Sequence, residues 1–527
     1  MPFSPSSRRR LVVWLALWVL AGASAAWWWL AGRPVDLPDA PSARIACVSY
    51  APFRRPGETP LDPHAFVSPA RIDADLRALS ARFDCVRTYS QGQGLSAVPG
   101  IAARYHMQVL MGIWLGSDPK ANAQQLALGI ATARKYPQVL RGVVVGNEVL
   151  LRGELGERQI AAALAEVRAA LPATIPVTYA DVWEFWLKHP ALANAVDFVT
   201  IHILPYWEDQ PVPPERAVAH VAAVYAKVQQ AFPDKRVMIG ETGWPSAGRP
   251  RREARASVVN EARYLREFLR YAATVHMPYN VIEAFDQPWK RAQEGTVGGY
   301  WGIFDAQAHP KFAMTGPVVE IPDWWLGWLA GAVGAGVFAL ALWRRHRRGA
   351  LALGLMGFAS GGALAWQARQ MVYACRDGWE WTLSVLACLA ALLTALRLAR
   401  WLAAQLAGAP PTRAPAGRWR FAWLFVLALY GLLMVFDGRY RDFPLGLFAL
   451  PCVGYALSAW LDGRARAPSR EALFLAASLP VLAGAVVALE LGEDPATWLW
   501  LALNLAIALP VLLAARRARG TIVSPTH

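Results

Sequence analysis

A (β/α)₈ TIM barrel, an α/β fold, followed by an all-α polytopic bundle of apolar helices is the architecture this 527-residue sequence predicts. Three observations predict it. Apolar residues make up 55% of the chain, with 25 Trp, and they concentrate in one N-terminal run and in everything after about residue 323. Between these, roughly 40–322, short β-rich runs alternate with helical periodicity. Charge divides along the same line. Residues 40–322 hold 30 Lys/Arg and 26 Asp/Glu, so only +4 of the net +15 lies there and +11 flanks the apolar segments. Arginines that punctuate apolar spans are a membrane-topology signal, and they exclude nucleic acid as a partner.

The barrel strands are expected at Ile45–Tyr50, Asp84–Tyr89, Gln108–Leu115, Gly142–Asn147, Pro176–Ala180, Asp197–Leu204, Arg236–Gly240 and Val281–Asp286. Helical stretches fall at 69–82, 119–135, 158–171, 214–232 and 253–274. Eight strands with intervening helices over this length match a closed parallel barrel. An open doubly wound sheet would carry a Gly-rich phosphate turn after an early strand, and none appears.

The first apolar run, Leu11 to Leu30, follows Arg8-Arg9-Arg10 and is long enough to span a bilayer. Ala23-Ser24-Ala25 resembles a cleavage site, but the run continues through Trp27-Trp28-Trp29-Leu30, which favours an uncleaved anchor. Seven further spans are expected near 324–343, 350–368, 380–397, 420–436, 443–461, 471–489 and 496–515. With the N-terminus inside, the inside loops and tails hold 18 arginines and the outside loops 4, borderline residues being assigned to the nearer loop. The expected domains are therefore 1–32, a cytoplasmic tail and signal anchor; 40–322, the extracytoplasmic barrel; 323–516, seven transmembrane helices; and 517–527, a cytoplasmic tail. Polar groups in the spans are sparse (Gln367, Thr394, Asn504, with Glu490 near an end), which favours an anchor bundle over a transport path. None of the five cysteines falls in a metal-ligand spacing. Cys47 and Cys85, on neighbouring strands, are expected to be buried thiols.

Active sites of such barrels sit at the C-terminal ends of the strands. Those ends here are Ser49-Tyr50, Arg87-Thr88-Tyr89, Trp114, Asn147-Glu148, Tyr179-Ala180-Asp181, His202 to Tyr206, Glu241, and Glu283 to Asp286. Aromatic rings stack on pyranose faces, while amides and carboxylates bond hydroxyls, so the pattern suits a sugar cleft. A glutamate that ends an apolar strand is solvated, pairs with a cation, or does chemistry. Two of them, Glu148 and Glu241, end the fourth and seventh expected strands, which face each other across the barrel mouth. The motifs that hold them, at 145–148 and 240–246, carry a family resemblance that implies retaining glycoside chemistry. Such chemistry needs one carboxyl to attack the anomeric carbon and one to protonate the leaving oxygen. On this reading the apolar strand and the Glu241 charge raise the pKa of Glu148. Asn147 is placed to bond the 2-hydroxyl beside the reacting carbon. Tyr206 is a candidate to orient Glu241 or bond the ring oxygen, and His202 to tune Tyr206 or Glu241. Arg87 and Tyr89 are candidates to support the nucleophile, Arg87 being equally able to lock the barrel floor through a buried pair. Tyr50, Tyr179, Glu283 and Asp286 are further candidate contacts, Lys290 being able to neutralise one of the acids. Trp244 and Trp289, with Trp183 and Trp207, are candidate sugar platforms. No metal site emerges, and no cofactor is expected.

Val-Gly-Asn-Glu at 145–148 and Gly-Glu-Thr-Gly-Trp-Pro-Ser at 240–246 resemble the motifs of glycoside hydrolase family 17. So do Val-Arg-Thr-Tyr-Ser at 86–90, Thr-Ile-His-Ile-Leu-Pro-Tyr-Trp at 200–207 and Glu-Ala-Phe-Asp-Gln-Pro-Trp-Lys at 283–290. The resemblance covers about 45–313 and is nearest to the bacterial membrane-anchored branch of β-(1,3)/(1,6)-glucan synthesis proteins. It implies a retaining enzyme acting on β-1,3-glucan, with Glu148 as acid/base and Glu241 as nucleophile. It also implies a place in the bacterial inner membrane with the barrel on the periplasmic side. β-Glucan and the lipid bilayer are the expected partners, together with a separate membrane glucan synthase. Cleavage with transfer to another glucan is the leading expectation. Plain endo-β-1,3-glucanase action and a non-catalytic role in glucan binding or export are the alternatives. Synthesis from a nucleotide sugar is disfavoured, since the inside loops are too short for a nucleotide-binding domain.

Overall fold

A computed structural model describes residues 5–342, 346–463 and 467–520. Parts of both expected cytoplasmic tails, 1–4 and 521–527, lie outside the described residues. The chain forms two compact units. One comprises residues 35–248 and 253–318; the other comprises 1–34, 249–252 and 319–527.

The first unit is built on a seven-stranded parallel sheet: β1 (Val48–Ser49), β2 (Cys85–Arg87), β3 (Gln108–Ile113), β4 (Leu140–Asn147), β5 (Val177–Val182), β6 (Phe198–His202) and β7 (Arg236–Glu241). Each strand pairs with the next in sequence. Runs such as Val143-Val144-Val145 are buried on both faces, as strands of a helix-wrapped parallel sheet must be. The eighth expected strand is present as an irregular segment. Ser49 N donates to Val281 O (2.9 Å) and Val281 N to Cys47 O (3.0 Å) on one side, while Asn280 N donates to Ile239 O (2.8 Å) on the other. These bonds close the sheet into a barrel. Beyond Ile282 the backbone N of Ala284 still donates to Ser49 O (2.9 Å), while those of Glu283 and Asp286 donate to Trp301 O and Phe304 O, in the following loop.

The wrapping helices start where capping chemistry dictates. Ser68 accepts from Arg71 N ahead of Pro69–Ser80, Asp118 from Lys120 N ahead of Pro119–Lys135, and Ser257 from Asn260 N ahead of Val258–Thr274. Their apolar faces cover the outside of the sheet. Inside it, one residue at or beside each strand forms a separate layer: Cys47, Cys85, Leu110, Val144, Ala180, Phe198 and Met238. In that layer Cys47 and Cys85 form a disulfide, with Cα atoms 4.3 Å apart. This corrects the expectation of two thiols. The pairing Val48↔Val86 sets the two cysteines side by side, facing inward, a register the sequence alone does not specify.

Among the described residues the second unit contains eight helices long and apolar enough to cross a membrane: Ser7–Ala31, Trp325–Leu342, Arg347–Ala374, Gly378–Leu406, Arg418–Phe436, Leu445–Asp462, Arg470–Leu489 and Pro495–Ala518. All seven expected C-terminal spans fall on such helices. Helices Trp325–Leu342 and Ala350–Ala374 meet through glycine, Gly334 against Gly357 and Gly361, where no side chain would fit. Three buried polar side chains are hydrogen-bonded within the unit: Leu447 N donates to Gln367 (3.0 Å), Trp423 to Thr394 (3.0 Å), and Asn504 to Trp500 O (2.8 Å).

Candidate active site

The last turn of β4 departs from strand geometry. Gly146 has φ +83° and Glu148 φ +52°, and the β4–β5 register shifts between Val144 and Asn147. A non-glycine residue in the left-handed region is held there by its surroundings. Here Glu148 N donates to Ala180 O (2.8 Å), and the next turn is tied down by Leu150 N donating to the Tyr179 hydroxyl (3.0 Å) and to Asp181 (3.1 Å). The β6–β7 register also shifts, between Ile201 and His202, so that His202 pairs with Glu241. Such irregularities re-aim side chains at strand ends. These two bring Glu148, His202 and Glu241 together. One carboxylate oxygen of each glutamate and a ring nitrogen of His202 lie within 4.8 Å of one another.

The two carboxylates have different partners. Glu241 Oε1 accepts from Arg87 Nη1 (3.0 Å) and from the Tyr89 hydroxyl (2.8 Å). Arg87 also donates to Gly240 O (2.7 Å) and, through Nη2, to Asn147 Oδ1 (2.5 Å). Glu148 Oε1 lies 2.9 Å from His202 Nδ1, while His202 Nε2 lies 3.7 Å from Glu241. The Glu148 side chain is 24% exposed and that of Glu241 only 6%. Two further residues support Glu241 from behind. Asn280 Nδ2 donates to Ser49 Oγ (2.9 Å) and to Gly240 O (2.8 Å), and Ser49 Oγ lies 2.9 Å from the Tyr89 hydroxyl.

Burial pushes the Glu148 carboxyl up, but the hydrogen bond and charge of His202, with Arg152 and Arg87, outweigh it and hold the group below the usual carboxylate range. This corrects the expected rise. The apolar surroundings act in the expected direction, and the imidazole reverses the outcome. Tyr89 is pushed well up, first by burial and then by the Glu241 charge, so it stays a hydrogen-bond donor. Burial pushes Glu283 up to about 7 against the opposing charge of Lys290, 3.1 Å away. A cluster of two glutamates and a histidine also has the geometry of metal ligands. Here the Arg87 guanidinium already supplies a cation, 3.0 Å from Glu241 and 3.4 Å from His202.

Of the sequence candidates, Asn147, Glu148, Arg87, Tyr89, His202 and Glu241 meet in this network. His202, expected on Tyr206 or Glu241, lies 3.7 Å from Glu241 and bonds Glu148 at 2.9 Å. Tyr206 is buried in a wall of Trp207, Trp244 and Trp301 rings. Glu283 is buried in its ion pair, and Trp289 is half-buried, its indole donating to Gln287 (2.8 Å). Four others are not presented to the open face. Tyr50 is buried and donates to Asp75 (3.0 Å). Tyr179 is buried against Asp181. Trp244 is 1% exposed, with its indole donating to Arg255 O (2.9 Å). Asp286 is buried against Lys311 (3.0 Å) and Gly302 N (3.0 Å). Trp183 donates to Glu208 (3.2 Å), and Trp207 stacks on Trp301. Ser49 and Asn280 were missed as functional residues. Each is an ordinary polar residue at a strand end, and only the closed barrel reveals what it supports.

A parallel barrel with two carboxylates at its mouth, one clamped by an arginine and a tyrosine and one against an imidazole, is a carbohydrate-cleaving kind of site. More particularly, residues 47–302 match the BtgE/BtgC glycoside hydrolase domain. The chain thus carries a glycoside hydrolase domain related to glucan 1,3-beta-glucosidases. The glucan 1,3-beta-glucosidase of Schizosaccharomyces pombe is 27% identical over 255 residues, 46% of this chain and 79% of that protein. The Saccharomyces cerevisiae enzyme of the same name is 24% identical over 268 residues, 47% and 85% of the two chains. Among solved structures, an active-site mutant of Rhizomucor miehei beta-1,3-glucanosyltransferase in complex with laminaritriose is 24% identical, covers 51% of this chain and 95% of its own, and has a TM-score of 0.44.

Proposed function

We propose that this protein is a membrane-anchored, retaining β-glucan enzyme that cleaves β-1,3-glucosidic bonds and passes the released glucosyl chain to another glucan. The observation that carries the reading is the proximity of the two glutamates combined with their unequal partners. Retaining chemistry uses carboxyl groups ~5–5.5 Å apart. Glu241, bonded by a cation and a hydroxyl and nearly inaccessible to water, is held and aimed, as a nucleophile must be. Glu148, more exposed, is the group that meets leaving and entering oxygens. The names of the glucan 1,3-beta-glucosidase relatives support the substrate class.

In the first step a Glu241 oxygen bonds to the anomeric carbon as the glycosidic C–O bond breaks, and the leaving oxygen takes the proton of Glu148. In the second, Glu148 takes a proton from a sugar hydroxyl or water, whose oxygen bonds to the anomeric carbon and frees Glu241. Asn147, oriented by Arg87, is placed for the 2-hydroxyl. His202 holds Glu148 ionised in the free protein. Sugar binding excludes water from Glu148 and drives it toward the protonated form that the first step consumes.

The eight apolar helices and the arginine asymmetry support a multi-pass protein of a bacterial inner membrane, with the barrel outside the cytoplasm. The Cys47–Cys85 bridge favours the same compartment. The internally bonded Gln367, Thr394 and Asn504 support an anchor rather than a sugar path. There the enzyme would act on glucan made by a separate membrane synthase.

The test is product analysis of the full chain with laminari-oligosaccharides. Products longer than the substrate, with β-configured new bonds, are expected. Only shorter products would leave a plain glucanase, and α-configured sugars would overturn the retaining mechanism. Azide should restore turnover to Glu148→Ala as a β-glucosyl azide, and its failure to do so would remove Glu148 from the acid/base role.

A further inference from the structure

Trp114 follows β3 at the open end of the barrel, one strand from Glu148. Its neighbours in sequence are buried, Ile113 and Leu115 at 1% exposure, while Trp114 itself is 37% exposed. Among the described residues of the barrel unit it is the tryptophan that presents its ring most openly. A lone exposed aromatic needs no explanation by itself. This one is built in place. The Arg152 guanidinium lies 4.3 Å from the ring centroid. That guanidinium is fixed in turn by Leu115 O (2.8 Å), by Glu154 (2.7 and 2.9 Å) and by the backbone carbonyl of Asn147. The arginine that caps the indole is therefore tied to the strand end that carries the acid. A rigid ring loses little freedom on binding, which favours contact with a ligand over mere coverage.

We infer that Trp114 is a sugar-stacking platform on the acceptor side of the cleft, held by Arg152, and that it sets how well a glucan competes with water for the glucosyl–enzyme. Strand order gives the side. β3 lies next to β4, away from β7, so Trp114 stands beyond Glu148 as seen from Glu241. The sugar on that side is the one whose oxygen exchanges a proton with Glu148. The free part of the indole suits the C–H face of a pyranose ring, and the Arg152–Glu154 pair at its edge offers a donor and an acceptor for hydroxyls. This inference rests on the proposed transfer reaction for its catalytic consequence but not for the binding itself.

Two readouts on the full chain test it. In transfer assays with laminaribiose as acceptor, Trp114→Ala should raise the acceptor concentration for half-maximal transfer roughly tenfold, the equivalent of ~1.4 kcal/mol, and lower the transfer-to-hydrolysis ratio. Trp114→Phe, which keeps a ring, should recover most of the loss. Equal loss of transfer and hydrolysis in Trp114→Ala would overturn the acceptor-side assignment. Binding of laminaripentaose to Glu241→Gln, with and without Trp114→Ala, reads the platform without turnover. An unchanged Kd overturns it even where the wild type is active. A wild type that yields no product while Trp114→Ala still weakens binding overturns the catalytic reading and keeps the platform.

Discussion

The closed and open ends of the barrel are built from the same strands, two to four residues apart, and they differ in nearly every physical respect. At the closed end Cys85, Val144, Phe198 and Met238 pack with Cys47, Leu110 and Ala180 into a layer with no charge. At the open end the same four strands present Arg87, Asn147, His202 and Glu241, joined in one bonded network. Strand direction thus separates stability from chemistry. Substitutions in one layer should spare the property that belongs to the other.

The largest expected effect is at the open end. Glu241→Gln should abolish turnover, and Glu148→Gln should lower kcat by ~10²–10⁴-fold, both with a melting temperature close to the wild type. Loss of fold in either variant would break the separation. Next is the clamp. Tyr89→Phe removes a hydrogen bond to a charged group, ~1.5–3 kcal/mol, and should reduce kcat/KM by roughly 10–100-fold. An unchanged kcat/KM would show that Arg87 alone aims Glu241. At the closed end, opening the 38-residue loop by Cys47→Ser with Cys85→Ser should cost about 4 kcal/mol and roughly 10 °C in Tm, with kcat/KM preserved at lower temperature.

Smaller shifts should appear in pH profiles. His202 holds Glu148 below the usual range against burial, which raises it. With the imidazole gone, its lowering effect is lost and the pKa rises. The acid form then survives to higher pH, so the alkaline limb of kcat/KM should move upward in His202→Gln. A shift to lower pH would remove His202 from this role. Glu261, buried beside Lys311, is pushed by burial up to about 8. A raised folded-state pKa gives stability that is present at acid pH and lost as pH rises through it. The melting temperature should therefore fall between pH 5 and 8.5, and Glu261→Gln should flatten that slope.

The sequence made the strands legible because β-rich apolar runs end abruptly in polar residues, and it made both glutamates legible because an acid at such an end is conspicuous. It was weaker on orientation. In a barrel wrapped by helices both faces of a strand are buried, so alternation does not tell inward from outward. Tyr50, Tyr179 and Trp244 were therefore expected at the sugar and are instead bonded inside the protein. Register was equally hidden, and with it the Cys47–Cys85 bridge. Ser49 and Asn280 are 231 positions apart, and only closure of the barrel brings them together.

The left-handed backbone at Glu148 has a consequence for how this protein could be improved or degraded. A glutamate there bears a conformational cost of ~1–2 kcal/mol that glycine avoids. Glu148→Gly relaxes the turn while deleting the acid. Directed evolution that rewards heat tolerance alone would enrich that inert variant, so any such campaign must select for product as well as for survival.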